Sequence, residues 1–129
     1  MLIGKGYTDR FLVRAEVREI FQEALAQMDA IGKQLLVIIP DGTRSAPVPL
    51  CFRLFAELLG DRATKLDFLI ALGTHIAMDE ERVLAQAGIT AEERATKYAR
   101  IGVYNHDWHK DLTRIGTIPA ALGSSQASP

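Results

Sequence analysis

The sequence predicts an α/β fold in which helices flank a parallel sheet. Two observations lead to this class. Three short runs, 35–40, 66–73 and 101–105, have the length and the aliphatic content of strands. Segments whose apolar residues recur with helical spacing separate these runs, and such alternation is typical of βαβ units. A chain of 129 residues, 48% of them hydrophobic, can bury the core of one such domain.

The first half of the chain predicts two helices around a strand. Apolar residues with helical spacing run from Val17 to Ile31, and Gly32 is the expected end of this helix. The run 35–40 is continuously apolar, which predicts a strand that is buried on both faces. A second helical stripe falls at 50, 51, 54, 55, 58 and 59, with Pro49 suited to its first turn and Gly60 to its end.

The second half repeats this order. The run 66–73 has the pattern of another strand buried on both faces. A third helix fits residues 79–88, and a short fourth helix fits 90–99, where Thr90 and Glu93 form a capping box. A third strand is predicted at 101–105. Residues 112–118 alternate between apolar and polar, which predicts a fourth strand.

Composition excludes several classes of partner. Fifteen basic and sixteen acidic residues give a net charge of -1, so nucleic acid and anionic membranes are not expected to bind. The N-terminal residues include charges before any long apolar run, which argues against a signal peptide or a transmembrane span. Cys51 is the single cysteine and cannot form an internal disulfide, so a cytoplasmic location is expected. We expect one domain over residues 1–122 and a disordered polar tail over 123–129.

Polar clusters follow three of the predicted strands. They are Asp41 to Arg44, Gly73 to His75, and Asn105 to His109. In parallel sheets, ligands bind where the strands end at their carboxyl edge. The three clusters are therefore the candidate functional residues.

The first cluster reads Asp41-Gly42-Thr43-Arg44. It offers a carboxylate, a backbone that a ligand can approach closely, a hydroxyl and a planar guanidinium. Because arginine pairs bidentately with carboxylates and phosphates, a small anion is the natural ligand. The alternative is a surface turn in which Asp41 bonds its own backbone and Arg44 faces solvent.

The second cluster contains His75, which leads into a predicted helix near Asp79. A histidine close to a helix N-terminus has its cationic form disfavoured, so it can serve as a neutral proton acceptor. The alternative is a histidine that only ties down the loop through hydrogen bonds.

The third cluster, "NHDWHKD" at 105–111, carries two histidines and two aspartates. His106 and His109 could bind a metal, yet the two or three further ligands that such a site needs are not evident. Asp107 could orient a histidine, or it could shape a turn, as aspartates after strands often do. We favour the turn and expect no metal site. Trp108 either packs this loop or lines the pocket.

Taken together and in this order, the clusters resemble the N-terminal domain of the nickel-pincer lactate racemase family. That family has a D-x-T-R segment after one strand, G-T-H after the next, and then N-H-D. The matching residues here are "DGTR" at 41–44, "ALGTH" at 71–75 and "NHD" at 105–107. The resemblance extends from about residue 14 to about residue 119. It implies a Rossmann-like parallel sheet that is incomplete relative to the family domain.

The resemblance also implies a chemistry. In the family, a 2-hydroxy acid transfers its C2 hydride to a nickel-pincer nucleotide while a histidine takes the hydroxyl proton. His75 would be one of two acid/base histidines. Asp41, Gly42, Thr43 and Arg44 would hold the cofactor, and Arg44 would also suit the substrate carboxylate. The expected function is therefore that of an N-terminal part of a lactate-type racemase or epimerase.

The sequence departs from the family pattern in two ways. Ser45 stands where proline is common, and Ile76 and Ala77 follow the histidine where arginine and proline are common, so the hydroxy acid need not be lactate. The family's second acid/base histidine, its cofactor-attaching lysine and its nickel-ligating histidine have no counterpart here. We therefore expect the chain to be inactive and to retain no cofactor unless a second chain supplies the remainder.

Two other functions remain open at this stage. One is a non-catalytic α/β module that binds a small anion or a nucleotide through Arg44 and the loop amides. The other is a metal hydrolase built on His75, His106, Asp107 and His109, which the sequence supports weakly.

Overall fold

The computed structural model describes residues 2–117, and within them four helices and three strands follow one another along the chain. The helices are α1 (Arg14–Ala26), α2 (Val48–Leu59), α3 (Glu80–Ala87) and α4 (Ala91–Ala95). The strands are β1 (Gln34–Pro40), β2 (Lys65–Ala71) and β3 (Gly102–Asn105), and they form one parallel sheet in the order β1-β2-β3. The predicted α/β class is confirmed.

The register of the sheet brings the carboxyl ends of neighbouring strands together. Pro40, the last residue of β1, pairs with Ala71, the last residue of β2. Asn105, the last residue of β3, pairs with Ile70. The loops that follow the three strands therefore leave from the same edge of the sheet.

The core lies on one face of this sheet. Phe68 and Ile70 of β2 are fully buried there, and the ring of Phe68 lies 4.7 Å from that of Phe52 on α2. Residues from α1, α2 and α3 join the same hydrophobic cluster, which includes Leu25, Val48, Phe52, Leu59, Val83 and Ala87. The helices thus pack together against a single face.

The order of the strands explains this one-sided arrangement. The connection from β1 to β2 contains α2, the connection from β2 to β3 contains α3 and α4, and both connections step in the same direction across the sheet. Crossovers between parallel strands are right-handed in nearly all proteins. Two right-handed crossovers in the same direction place their helices on the same face.

The prediction that β1 is buried on both faces was therefore wrong. Leu36 and Ile38 are 58% and 67% exposed, whereas Ile39, on the helical face, is buried. β1 is also an edge strand of the sheet. The middle strand β2 is buried along most of its length, as predicted.

The first helix ends earlier than its apolar pattern suggested. α1 stops at Ala26, and Gly32 lies in a later turn with φ of 70°. There the amide of Gly32 donates to the carbonyl of Arg62, 2.9 Å away. Gly32 thus shapes the approach to β1 rather than the end of the helix.

α3 lies within the predicted segment 79–88, and α4 begins where its capping box predicted. Asp79 caps α3 through the amide of Arg82, and Gly88 ends it in the left-handed conformation with φ of 67°. The predicted capping box of α4 is present, because the hydroxyl of Thr90 and the carboxylate of Glu93 accept each other's backbone amides.

α4 is shorter than predicted. It ends at Ala95, and Thr96 leaves the helical region at φ of −115° and ψ of −83°. The hydroxyl of Thr96 donates to the carbonyl of Glu92, a local bond that competes with helix propagation.

The fourth strand predicted at 112–118 was wrong for residues 112–117, which have no regular secondary structure. Alternation alone does not make a strand, since a strand also needs a neighbour and an apolar surface to cover. Leu112 and Ile115 are instead 67% and 100% exposed. Residue 118 and the predicted tail at 123–129 lie outside the described residues.

Within the described residues, no helix has both the length and the apolar character needed to cross a membrane.

Candidate functional site

Two tight turns at the carboxyl edge of the sheet form the candidate site. After β1, the amide of Arg44 donates to the carbonyl of Asp41 at 3.3 Å. After β2, the amide of His75 donates to the carbonyl of Leu72 at 3.0 Å, and Gly73 adopts the left-handed conformation with φ of 60°. Because β1 and β2 are adjacent, these two turns face each other.

Asp41 and His75 meet across this gap. Nδ1 of His75 lies 2.6 Å from Oδ2 of Asp41, a hydrogen bond between residues 34 apart in the sequence. The Asp41 side chain is 9% exposed, whereas that of His75 is 59% exposed. A nearly buried carboxylate therefore holds an accessible imidazole.

Asp41 is also bound by its own turn. Its Oδ1 accepts the backbone amide of Thr43 at 3.1 Å and the Thr43 hydroxyl at 2.5 Å. The hydrogen bond from this hydroxyl, followed by the bond from His75, lowers the pKa of Asp41 from 3.8 to about 2. The carboxylate is therefore ionised throughout the physiological pH range.

The pair defines what His75 can do. An ionised carboxylate at Nδ1 selects the tautomer that carries its proton there, and it fixes the plane of the ring. Nε2, on the other side of the ring, is then the proton acceptor, as in hydrolases where an aspartate orients a histidine base. The prediction that His75 lies close to a helix N-terminus was wrong, because α3 begins only at Glu80.

A cleft of about 500 Å³ surrounds this pair. The predicted residues Asp41, Gly42, Thr43 and His75 all contribute to its wall, and the complete lining is Asp41, Gly42, Thr43, Leu72, Thr74, His75, Ile76, Met78 and Arg82. Arg44 is exposed on the same turn but is not part of this lining. The structure therefore brings four of the five predicted site residues together and places Arg44 outside the cleft.

Sequence reasoning missed one residue of the cleft wall, Arg82, and the contact that Asn105 makes. Arg82 reaches the cleft from the first turn of α3, three residues after the helix cap Asp79. Asn105 fixes the loop after His75, because its side chain donates to the carbonyl of Met78 at 2.9 Å and accepts the Met78 amide at 3.1 Å. The position of Asn105 at a strand end was a signal, but its partner could not be read from the sequence.

The cluster at 105–111 forms a turn. The Asp107 carboxylate accepts the amide of His109 at 3.0 Å, and the amides of Lys110 and Asp111 both donate to the Asp107 carbonyl. Trp108 packs its ring on that of His109, with 3.6 Å between their centroids. Among residues 2–117, no group of three or more histidine, cysteine or acidic side chains is arranged to hold a metal ion.

The fold and the site together define a class. The chain is an α/β domain whose parallel sheet presents an aspartate–histidine pair at its carboxyl edge, where ligands bind in such folds. The sequence of residues 9–123 matches the family model described as the lactate racemase N-terminal domain. The chain therefore belongs to the lactate racemase N-terminal domain family, and the resemblance drawn from its three clusters is confirmed.

A solved structure is similar over most of the chain. It is the crystal structure of a protein from Thermotoga maritima, with 26% sequence identity and a TM-score of 0.69. The similarity covers 86% of this chain but 26% of the Thermotoga maritima chain, so this chain spans about a quarter of the length of that relative. No curated protein matches the chain significantly.

Proposed function

We propose that this chain is the N-terminal part of a racemase or epimerase that acts on a 2-hydroxy acid. Family membership supports the class of reaction. The observation that carries the proposal is the 2.6 Å bond between Nδ1 of His75 and Oδ2 of Asp41, because it prepares Nε2 of His75 to exchange a proton with a hydroxyl group.

In this mechanism His75 is the acid/base residue and Asp41 positions it. The substrate hydroxyl would donate to Nε2, and His75 would take that proton as the carbon-bound hydride leaves. His75 would return the same proton once the hydride comes back to either face of the flat keto acid. Asp41 would stabilise the imidazolium in between, since its carboxylate remains ionised at Nδ1.

The turn after β1 suits a nucleotide cofactor. Gly42 and Thr43 are exposed on the cleft wall, and a glycine lets a ligand approach the backbone closely. Arg44 is exposed on the same turn and offers a fork of donors to a phosphate or a carboxylate. The cofactor of this family is a nickel-pincer nucleotide, which supplies a hydride acceptor when bound.

Asp41 has a narrower role than the sequence suggested. Both of its oxygens already accept hydrogen bonds within this chain, from Thr43 and from His75. These bonds support a positioning role for Asp41, with Gly42, Thr43 and Arg44 proposed to hold the cofactor.

The side chains in and beside the cleft suit a 2-hydroxy acid as the substrate. A 2-hydroxy acid needs a base for its hydroxyl and a cation for its carboxylate. His75 provides the base, and Arg82 on the cleft wall or Arg44 beside it provides the cation. Ile76 also lines the cleft and adds an apolar surface for the substrate side chain.

Binding of a cofactor fragment tests this proposal. The alternative is that Asp41 to Arg44 form only a surface turn. The probe is nicotinic acid mononucleotide, measured by calorimetry on the complete 129-residue chain. Arg44→Lys should weaken binding roughly tenfold, because lysine keeps the charge but loses the planar fork. The matched control is Arg62→Lys, an exposed arginine that precedes β2 and so lies at the opposite edge of the sheet.

The possible outcomes distinguish a cofactor site, a small-anion site and an ordinary turn. Weaker binding in Arg44→Lys alone, with an unchanged melting temperature, supports the proposed cofactor site. If inorganic phosphate binds as tightly as the mononucleotide, the chain is a small-anion module instead. Should Arg44→Lys lower the melting temperature and leave affinity unchanged, Arg44 is a structural residue of an ordinary turn.

A further inference from the structure

One face of the sheet carries apolar side chains that the described helices leave exposed or, in the case of Leu69, half-buried. The register places Ile38 of β1, Leu69 of β2 and Tyr104 of β3 in one row across all three strands, with Leu36 two residues before Ile38. None of these four residues belongs to the core cluster, which contains the alternate residues of the same strands. We call these four residues the open face.

The open face is continuous with an apolar groove. This groove, of about 430 Å³, runs between α1 and the edge strand β1. Its walls include Ile20 and Ala24 from α1, Met28 just after this helix, and Leu36 and Ile38 from the strand. Leu36 and Ile38, two of the four residues of the open face, therefore line a depression, as residues of helix-docking sites commonly do.

The polar groups on this face already have partners. Asp67 accepts the backbone amide of Gly102 at 3.0 Å and lies 2.7 Å from Nζ of Lys65. A side chain at position 102 would collide with the ring of Tyr104, so this ring lies across Gly102. The open face is therefore suited to an apolar partner rather than a charged one.

We infer that the open face is the docking surface for a helical layer supplied by the remaining part of a lactate racemase-type enzyme. Parallel sheets are covered by helices on both faces, and the described helices cover one. The match accounts for 26% of the Thermotoga maritima chain, so about three quarters of that polypeptide is available to provide the second layer. This inference rests on the proposed function, since it names the partner that would complete the enzyme.

A second copy of this chain suits the surface less well. Two copies would bring sheet against sheet, because the described helices of each copy are already packed on its other face. That pairing is typical of antiparallel sandwiches and not of parallel α/β sheets.

The test compares one substitution in two contexts. Ile38→Lys is made in the 129-residue chain and in a chimera in which this chain replaces the matched quarter of the Thermotoga maritima protein. The control is Ile115→Lys, which alters a fully exposed isoleucine outside the open face. In the isolated chain, both variants should melt within roughly 2 °C of the parent, because both positions are exposed. In the chimera, Ile38→Lys should lower the melting temperature by at least about 5 °C, and the control should not.

Other results would overturn the inference. If Ile38→Lys leaves the melting temperature of the chimera unchanged, the rest of the protein does not cover the open face. A large loss of stability in the isolated chain means that the face is already covered within it. If sedimentation shows a dimer that Ile38→Lys dissociates, a second copy is the occupant. Should the chimera not fold, hydrogen exchange of β1 is measured with and without the rest of the Thermotoga maritima protein, and unchanged protection also overturns the inference.

The proposed function is tested separately, through the binding of nicotinic acid mononucleotide to the 129-residue chain. If Ile38→Lys destabilises the chimera while Arg44→Lys leaves that binding unchanged, the proposed function is contradicted and the docking surface is supported.

Discussion

At the scale of the residue, the site depends on one carboxylate that is held from two sides. Asp41 receives two hydrogen bonds from Thr43 and one from His75, and its side chain is nearly buried. Burial alone would raise the pKa of a carboxyl group, so the lowered pKa of Asp41 shows that these hydrogen bonds outweigh desolvation. The imidazole of His75 therefore faces a permanent negative charge.

Removing the Thr43 hydroxyl tests this balance. Thr43→Val should raise the pKa of Asp41 from about 2 towards 3.8, since the bond from this hydroxyl is the largest cause of the shift. Carbon-13 NMR of the aspartate carboxyl groups measures the change directly. Thr74→Val is the control, because Thr74 lines the same cleft beside His75. An unchanged titration of Asp41 in Thr43→Val would contradict the assignment.

The same shift predicts a pH dependence of stability. The folded pKa of Asp41 lies below its ordinary value, so its ionised form contributes stability that is fully present above about pH 4. This contribution is lost as the pH falls towards 2. In Thr43→Val the contribution should be smaller, and the difference in melting temperature from the parent protein should shrink as the solution is acidified over this range.

At the scale of the element, the end of α3 packs closely against the start of α2. Gly88 ends α3 in the left-handed conformation, and a Cβ there would lie 2.4 Å from Cβ of Pro49 at the start of α2. Arg53 of α2 also reaches this junction, where it donates to the Gly88 carbonyl at 2.6 Å and pairs with Glu93. The close approach of α2 and α3 therefore depends on glycine.

Gly88→Ala and Gly32→Ala form a matched pair. Both glycines have a left-handed φ, near 70°, but a Cβ at Gly32 would meet no atom within 4 Å. Gly32→Ala should cost about 1 kcal/mol for the backbone conformation alone. Gly88→Ala should cost about 1–3 kcal/mol more, because Pro49 or the helix must shift. Urea unfolding measures both, and equal losses would show that the contact with Pro49 is unimportant.

Elements were predictable from the sequence where a local signal determines them. The capping box of Thr90 and Glu93 is such a signal, and the structure confirms the start of α4 that it marks. The exposure of β1 was not predictable, because the pattern of an apolar strand does not reveal which faces the chain covers. The hydrogen bond between Asp41 and His75 depends on strand adjacency, which the sequence suggested, and on side-chain directions, which it did not encode locally.

At the scale of the whole molecule, the hydrophobic core lies on one face of the sheet, and the candidate site lies at its carboxyl edge. One hydrophobic cluster joins α1, α2 and α3 to the sheet. The candidate site supplies one histidine and one positioning carboxylate, and the described residues hold no cluster of metal ligands.

The isolated chain should accordingly neither racemise lactate nor retain nickel. The family attaches its cofactor through a lysine and ligates nickel through a histidine, and neither has a counterpart in this sequence. Metal analysis of the purified protein, together with a polarimetric assay, checks both statements. Stoichiometric nickel that is lost in a variant carrying both His106→Ala and His109→Ala would contradict this prediction and revive a metal site after β3.

The strand order has a consequence for how the molecule is made. The ribosome delivers β1, β2 and β3 in the order in which they lie side by side, so each new strand adds to an edge that already exists. None of the three strands within residues 2–117 has to insert between two earlier ones. Folding can therefore keep pace with translation, and β3 presents the growing edge to any polypeptide that follows.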